Sequence, residues 1–239
     1  MEVVKVCYSM GSLGKNVECE KAPDLLFDGG EHVEVIRNNV DETMINIEKI
    51  EGSLFLGGDH SITYGSYKGF SKRFKNAGII IFDAHPDMEI SAGSVSHEDY
   101  LRKLIEEGVI KKSNVILVGV RKISKNEKEF MNSIKVFTME QIFGNEENVC
   151  DVVMELALGF DGLYLSIDID VLDPAFAPGT GYLEPEGMST AQLFYFLGRI
   201  SKLNNLRRID LVEINPDKDV NGITVKTGRR IIEFLLDKL

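Results

Sequence analysis

Residues 79–87 read Ile-Ile-Ile-Phe-Asp-Ala-His-Pro-Asp, an apolar run followed at once by three side chains that can bind a metal ion. In an extended backbone alternate side chains point the same way, so Asp83, His85 and Asp87 should share one volume, with roughly 6.5–7 Å between alternate residues. Carboxylate and imidazole ligands without a nearby cysteine favour a divalent ion such as manganese, and they also admit zinc, iron and cobalt. The alternative for the isolated motif is structural, because Asp-x-His can cap a helix or bond the backbone where a strand ends.

Similar apolar runs, rich in β-branched residues, recur along the chain and predict mostly buried strands. They lie at 3–7, 33–36, 54–56, 79–82, 115–118, 136–137, 163–167 and 209–214. Helical spacing occurs between them, at 61–75, 97–107, 148–158, 189–203 and 224–239. This alternation predicts an α/β fold in which crossover helices join parallel strands, and we expect a single domain over residues 1–239.

Local signals place several helix ends. Ser189 or Thr190 should cap one helix and Thr224 the last one, whereas the pair Glu106-Glu107 with Gly108 should mark the end of another helix. Residues 174–187 contain three prolines and three glycines. A loop of that length indicates a functional segment.

The composition excludes several classes of function. The net charge of −11 over 239 residues repels phosphate backbones, so we expect no nucleic-acid partner and instead a small cationic ligand. No apolar segment is long enough to span a membrane, and the first residues lack the features of a signal peptide. Three scattered cysteines, Cys7, Cys19 and Cys150, argue against a disulfide framework and for a reducing compartment. We therefore predict a soluble, cytoplasmic protein whose cysteines are structural thiols.

Two further predicted strands end in potential metal ligands. The strand at 54–56 leads into Gly57-Gly58-Asp59-His60, and the strand at 163–167 leads into Asp168-Ile169-Asp170. Ligands of open parallel sheets bind beyond the carboxyl ends of the strands, so these side chains should meet those of residues 83–87. A lone histidine at position 60 could be structural. Two carboxylates entering a buried strand end, however, need a compensating cation.

Together these strand ends supply four carboxylates and two imidazoles, a set that suits two divalent ions. Four negative charges, two ions of charge +2 and one bridging hydroxide sum to −1, which a monocationic substrate would neutralise. This arithmetic points toward a guanidinium group.

The ordered motifs resemble the ureohydrolase family, which includes arginase, agmatinase and formimidoylglutamase. They are GGDHS at 57–61, DAHPD at 83–87, GVR at 119–121, SIDIDVLDP at 166–174, APGTG at 177–181 and EINP at 213–216. The resemblance implies a three-layer α/β/α fold with a central, mostly parallel, eight-stranded sheet. It also implies two Mn²⁺ per subunit, hydrolysis of a carbon–nitrogen bond in a linear amidine, and assembly into trimers or hexamers.

The resemblance also implies roles for individual residues. Asp83 and Asp168 would bridge the two ions, His60 and Asp87 would complete one site, and His85 and Asp170 the other. His97 resembles a proton-shuttling histidine, although it could instead be an exposed residue that starts a helix. Glu213 resembles the glutamate that pairs with the guanidinium group, although it could instead bond only to its own loop. Asp87 is our candidate proton donor to the departing nitrogen.

Two positions bear on the choice of substrate. Glu89 stands where arginases use an asparagine to bind the α-carboxylate, and Ser124 stands where they use an aspartate to bind the α-ammonium. Both departures disfavour free arginine, so we expect an agmatinase that produces urea and putrescine for polyamine biosynthesis. Arginine and formimidoylglutamate stay open as substrates. The alternative from another class is a non-catalytic, metal-binding, oligomer-forming relative.

Overall fold

The computed structural model describes residues 2–91 and 93–238. Eight strands form one sheet in the order β2-β1-β3-β8-β7-β4-β5-β6, and every neighbouring pair is parallel. The strands are β1 Val3–Val6, β2 Glu31–His32, β3 Leu54–Gly57, β4 Ala77–Phe82, β5 Val115–Val120, β6 Lys135–Thr138, β7 Gly162–Asp168 and β8 Leu206–Val212. The predicted eight-stranded sheet is confirmed, and it is parallel throughout.

Helices cover both faces of the sheet. They are α1 Ala22–Leu26, α2 Val40–Lys49, α3 Ile62–Ser71, α4 Tyr100–Glu106, α5 Lys125–Phe130, α6 Met139–Ile142, α7 Glu146–Ala157, α8 Thr190–Ile200 and α9 Ile223–Leu236. Helices α2, α3 and α4 contribute to the apolar cluster on one face, and α1, α6, α7, α8 and α9 contribute to the cluster on the other. This is the predicted three-layer arrangement. Within the described ranges, no helix combines the length and the apolar character that crossing a membrane requires.

Strand β4 shows why the apolar run at 79–82 is continuous. Ile79 and Ile81 pack into the cluster beneath α2–α4, whereas Ile80 and Phe82 pack into the opposite cluster. A strand covered on both faces has no solvent-facing position, so the alternation of polar and apolar residues is lost.

The second strand predicted from sequence, at 33–36, is wrong. The edge strand is Glu31–His32, which pairs with Val4 and Lys5 of β1. One further hydrogen bond, from Val33 N to Lys5 O, ends the ladder. Both residues of this edge strand, Glu31 and His32, are exposed, so a search for apolar runs could not detect it.

Several predicted helix ends also need correction. Helix α4 begins at Tyr100 and not at His97, because the carboxylate of Asp99 accepts a hydrogen bond from Ser96 N and holds residues 97–99 in a turn. Thr224 is not the cap of α9. Its hydroxyl donates to Asp219, whose carboxylate accepts the free backbone N–H groups of residues 224 and 225. Residue 239, in the predicted last helix, lies outside the described residues.

Other predicted ends are confirmed. The side chain of Ser189 accepts a hydrogen bond from Gln192 N in a reciprocal capping box at the start of α8. Gly108 follows α4 with φ of 70°, the left-handed conformation that commonly ends a helix.

Two helix glycines should respond oppositely to alanine. A Cβ atom on Gly69, in α3, would overlap the backbone oxygen of Glu48 in α2, so Gly69→Ala should lower the free energy of unfolding by about 1–3 kcal/mol. The matched control is Gly198→Ala in α8, where the nearest atom would be Phe234 Cζ at 3.4 Å. This variant should gain about 0.5–1 kcal/mol from helix propensity. Urea unfolding measures both, and equal effects would contradict the close α2–α3 contact.

Candidate active site

The four adjacent central strands β3, β8, β7 and β4 carry the predicted site residues at or just beyond their carboxyl ends. The predicted residues there are His60 after β3, Glu213 after β8, Asp168 and Asp170 at the end of β7, and Asp83, His85 and Asp87 after β4. A cavity of about 230 Å³ opens there. All of these residues except His60 and Asp83, which lie beneath it, line its wall. The structure thus brings the predicted residues together where parallel sheets usually bind ligands.

Turns, and not an extended backbone, direct these side chains. Strand β4 ends at Phe82, and Asp87 has φ of 54°, which is not extended. Asp170 lies in a single 3₁₀ turn, Ile169–Val171, that follows β7. The prediction that alternation along a strand aligns these residues is therefore wrong, although their predicted convergence is confirmed.

The ligand atoms form two groups that share Asp83. In one group His60 Nδ1 lies 3.0 Å from Asp83 Oδ2, 3.0 Å from Asp87 Oδ2 and 3.2 Å from Asp168 Oδ2. In the other, His85 Nδ1 lies 3.4 Å from Asp83 Oδ1 and 3.1 Å from Asp170 Oδ2. Each group has the spacing of ligands around one ion, and the two oxygens of Asp83 face different groups. Asp168 falls only in the first group.

Two buried atoms indicate that this cluster is built for cations. His60 Nδ1 and Asp83 Oδ2 are fully enclosed, and although they lie 3.0 Å apart, neither makes a hydrogen bond of acceptable geometry within the described part of the chain. Burying unpartnered polar atoms and several carboxylates is costly unless a cation compensates. The nitrogen and oxygen donor set fits divalent ions that prefer such ligands, so the residues present fit a two-metal centre.

A buried hydrogen-bond chain fixes the orientation of His60. Ser166 Oγ donates to Asp210 Oδ1 at 2.6 Å, so Ser166 Oγ is left to accept from His60 Nε2 at 2.9 Å. The Tyr100 hydroxyl lies 3.0 Å from the same nitrogen and can also accept from it. With the imidazole proton on Nε2, the lone pair of Nδ1 faces the three aspartates. Thr63 and Tyr164 donate to the other oxygen of Asp210. Sequence reasoning missed Ser166 and Asp210, although a carboxylate inside a buried strand was a usable signal.

Glu213 and His97 form a second buried pair. His97 Nδ1 lies 3.2 Å from Glu213 Oε1, and the backbone N–H of His60 donates to the same oxygen at 2.6 Å. Burial works to lower the pKa of His97, but the charge of Glu213 outweighs it and raises that pKa to about 9. Burial conversely works to raise the pKa of Glu213, and cationic His97 holds it below its usual value. His97 is therefore buried beside the site, not exposed at a helix start.

Asn16 anchors this pair from the irregular N-terminal segment. Its side-chain amide is fully buried and donates to Glu213 Oε2 at 2.7 Å and to Glu213 O at 3.0 Å. Asn215 in turn donates to Asn16 Oδ1 at 2.6 Å. These contacts hold Glu213 at φ of 65°, a left-handed conformation that costs energy for a residue other than glycine. A single asparagine in a segment without periodicity gave no signal in the sequence.

Tyr182, in the loop at 174–187, covers two of the three histidines of the site, His85 and His97. Its ring stacks on His97 at 5.7 Å and lies 5.2 Å from the ring of His85. Its hydroxyl donates to Glu98 Oε1 at 2.5 Å. The predicted functional loop thus forms a wall of the cavity, which the positions of its prolines and glycines alone could not show.

Arg121, the arginine of the GVR motif, ties that loop to the ligand-bearing turn. Its guanidinium group donates to Asp170 O at 2.7 Å and to Glu184 O at 2.9 Å, with further bonds to the carbonyls of residues 119, 171, 172 and 185. One rigid side chain therefore fixes both the backbone of a metal-ligand turn and the cavity wall.

The two predicted specificity positions, Glu89 and Ser124, both line the cavity. Ser124 Oγ accepts a hydrogen bond from Glu127 N, and the Glu127 carboxylate accepts one from Ser124 N, so Ser124 also caps α5. Glu89 is partly buried, and one of its carboxylate oxygens lies 3.4 Å from Asn126 Nδ2. Neither side chain is sealed off from the cavity.

Removing Ser166 should weaken metal binding. Ser166→Ala deletes the hydroxyl that links His60 Nε2 to Asp210, so the affinity for divalent cations should fall by roughly 10–100-fold. Calorimetric titration of the metal-free protein measures it. The control is Thr63→Val, which also deprives Asp210 of a donor but removes no hydrogen bond of the His60 side chain. Equal losses in both variants would show a general effect of disturbing Asp210.

Glu213→Gln should return the pKa of His97 toward 6.5, which NMR titration of the metal-free protein can follow. A histidine whose pKa rises on folding adds stability that is complete below about pH 6.5 and is lost as the pH rises toward 9. The stability advantage of the wild type over Glu213→Gln should fade in that window. Glu98→Gln, 4.0 Å from His97 Nε2, is the control. An equal pKa of His97 in the wild type and in Glu213→Gln would contradict the pairing.

Known proteins resemble this chain in sequence and in architecture. A model of the arginase family matches residues 5–236. An arginase of Staphylococcus aureus is 36% identical over 209 residues, which span 80% of this chain and 69% of the relative. A formimidoylglutamase of Halalkalibacterium halodurans is 30% identical over 203 residues, 81% of this chain and 64% of that one.

Solved structures agree. The crystal structure of arginase from Bacillus subtilis superposes with a TM-score of 0.88 at 25% identity, covering 98% of this chain and 97% of the other. Its coverage, the family match over nearly all residues and the paired ligand groups on the central strands lead to one assignment. The chain belongs to the arginase family, the ureohydrolases, whose members are metal-dependent hydrolases of guanidino and amidino carbon–nitrogen bonds.

Proposed function

We propose that this protein hydrolyses a cationic guanidino compound without a carboxylate, most simply agmatine, to urea and an amine, using two Mn²⁺ ions. The observation that carries the proposal is the pair of buried ligand groups sharing Asp83, directly below an acidic cavity. Ions held there would supply a hydroxide nucleophile at neutral pH and stabilise charge on the attacked carbon.

Glu213 is our candidate for binding the guanidinium group. A carboxylate can accept about four hydrogen bonds, and His60 N, Asn16 Nδ2 and His97 Nδ1 use three of them. One position is left for a substrate N–H. Because the backbone, the amide and the imidazole hold it from three sides, Glu213 is oriented before substrate arrives, so little ordering is required on binding.

Two groups can move protons at this site. Without bound ions, burial and the neighbouring charge of Asp83 raise the pKa of Asp87 to about 8, and bound cations would oppose this rise. Asp87 lines the cavity beside His60 and is our candidate for passing a proton to the departing nitrogen. His97, cationic near neutrality, lies at the cavity wall under Tyr182 and can exchange protons with solvent.

The cavity also carries charged side chains besides the metal-ligating ones, and these support a cationic substrate. Glu89, Glu98, Glu127 and Glu184 line it, with Lys122 as the opposing charge. Lys122 is 65% exposed, and its ammonium lies 4.0 Å from the Glu184 carboxylate, so its charge is both screened and partly countered. An ammonium at the far end of the substrate suits this surface better than a carboxylate does.

Arginine is the second candidate, and formimidoylglutamate the third. Two observations favour a carboxylate-bearing substrate: Lys122 faces the cavity, and the named relatives are arginases and a formimidoylglutamase. The preference for agmatine rests on the charges of the cavity and not on those names.

Asp170→Asn should lower manganese content and turnover together. Losing one carboxylate from the second ligand group should empty it, and forfeiting several kcal/mol of charge stabilisation should slow turnover by more than about 100-fold. Elemental analysis and urea release measure the two effects. Asp161→Asn, the same change at an exposed position, is the control. Full metal content with unchanged activity would contradict the assignment of Asp170.

A parallel assay of agmatine, arginine, guanidinobutyrate and formimidoylglutamate with manganese-loaded protein tests the substrate. We expect kcat/KM for agmatine to exceed that for arginine by at least about tenfold, the equivalent of one unfavourable charge contact. Glu89→Gln should narrow this ratio, and Glu155→Gln on the outer face of α7 should not.

Other outcomes of that assay are informative. Arginine as the better substrate, with Lys122→Gln lowering its kcat/KM alone, would overturn the proposal in favour of arginase activity. Failure on every compound despite two bound ions would favour a non-catalytic, metal-binding relative. We also propose trimers or hexamers, which light scattering of the same protein would test.

A further inference from the structure

A second group of metal-ligating side chains lies apart from the binuclear cluster, near the edge of the sheet. It comprises Cys7 directly after β1, His32 on the edge strand β2, and Asp24 in α1. One donor atom from each lies within 4.8 Å of the others. Asp24 links the other two, with Oδ2 at 3.8 Å from Cys7 Sγ and Oδ1 at 2.9 Å from His32 Nε2. We propose that these three residues bind one zinc ion.

The donor set selects the metal. A thiolate, an imidazole and a carboxylate are together typical ligands of Zn²⁺, which takes four ligands in a tetrahedron, and water would be the fourth. Zinc–ligand bonds of about 2.0–2.3 Å imply separations of roughly 3.3–3.6 Å between ligand atoms. The two separations, 2.9 Å from His32 Nε2 to Asp24 Oδ1 and 3.8 Å from Cys7 Sγ to Asp24 Oδ2, involve different oxygens of the carboxylate. A rotation of the Asp24 side chain would bring one oxygen, the sulfur and the nitrogen around one ion. The sulfur ligand distinguishes this site from the binuclear cluster, which has none.

Lys5 holds the carboxylate of Asp24. The side chain of Lys5 is buried, and its ammonium donates to Asp24 Oδ1 at 2.9 Å. Ligating carboxylates commonly accept such an outer hydrogen bond, and here it leaves Oδ2 facing the thiol. The same contact offers a metal-free alternative, a plain ion pair among Lys5, Asp24 and His32. Only a test that reports sulfur–metal bonding separates the two.

Zinc binding would carry a proton signature. Burial, and then the nearby charge of Asp24, raise the pKa of the Cys7 thiol to about 11 against the lowering effect of Lys5, with Glu20 adding a smaller increase. The thiol keeps its proton near neutrality without metal, and ligation of zinc would release it. The sequence alone predicts a structural thiol at Cys7, because Asp24 and His32 are distant from it in sequence.

A zinc ion at this site would stabilise the edge strand β2, which few contacts hold to the sheet. Strand β2 has two residues and pairs only with β1 in the described sheet. One ion would join that edge strand, the end of β1 and helix α1. Asp24 and His32 are 57% and 54% exposed, so an ion can enter from solvent without unfolding. Zinc should therefore stabilise the protein through its N-terminal region.

Cobalt(II) provides the test, because a cobalt–thiolate bond gives a sulfur-to-metal charge-transfer absorption in the near ultraviolet. The full chain carrying Asp170→Asn, which lowers binding at the binuclear cluster, would be stripped of metal and titrated with CoCl₂. We expect the amplitude of the band at saturation to correspond to one thiolate-bound cobalt per chain, whatever amount of cobalt the remaining ligand group around His60 takes up. The band should disappear when ZnCl₂ is added and be absent in Cys7→Ser. Cys150→Ser is the matched control and should retain it, since Cys150 lies in α7 and outside the group.

His32→Gln is a second variant that should fold normally, because position 32 is exposed. Added to the chain carrying Asp170→Asn, it should weaken the zinc affinity measured by loss of the cobalt–thiolate band by at least about tenfold and reduce the zinc-dependent rise in melting temperature. In the otherwise wild-type chain it should leave turnover of guanidino substrates unchanged. No thiolate band, a band that survives Cys7→Ser, or zinc affinity unaffected by His32→Gln would each overturn the proposal. These readouts require no enzymatic activity, so their failure is distinguishable from failure of the proposed function.

Discussion

Four carboxylates, those of Asp83, Asp87, Asp168 and Asp170, are buried within reach of two imidazoles at one edge of a parallel sheet. Such a concentration of like charge in a protein interior is unfavourable unless cations neutralise it. The rest of the site depends on this constraint. The adjacency of β3, β8, β7 and β4 brings the ligands together, and the surrounding hydrogen bonds fix which atoms face the ions.

Much of the surrounding structure orients groups that would do chemistry. Asp210 and Ser166 orient the imidazole of His60, Asn16 and His60 N hold Glu213, and Arg121 holds the Asp170 turn. Asp87 and Glu213 both adopt positive φ values, which the protein maintains only because neighbouring contacts determine them. None of these contacts fixes the charges of the remaining cavity residues. Those charges, and not the ligand cluster, therefore bear on the choice of substrate.

The sequence predicted the parts of the fold whose signals are local. Residues 79–82 are buried on both faces, so their apolar run identified a central strand, and Ser189 could be identified as a cap because its partner is three residues away. The edge strand Glu31–His32 was missed because its exposed residues pair through the backbone alone. Asn16 was missed because its contact with Glu213 spans 197 positions. Asp87 lies beside His60 as predicted, but a turn with positive φ, and not the alternation of an extended strand, directs it there.

Anomalous diffraction from crystals grown with Mn²⁺ would locate the ions without reference to activity. We expect a two-metal centre, seen as two anomalous peaks about 3.5–4 Å apart, one beside His60 Nδ1 and the other beside His85 Nδ1, with Asp83 between them. A single peak, or two ions bound elsewhere while these carboxylates pair only with protons and histidines, would contradict this expectation.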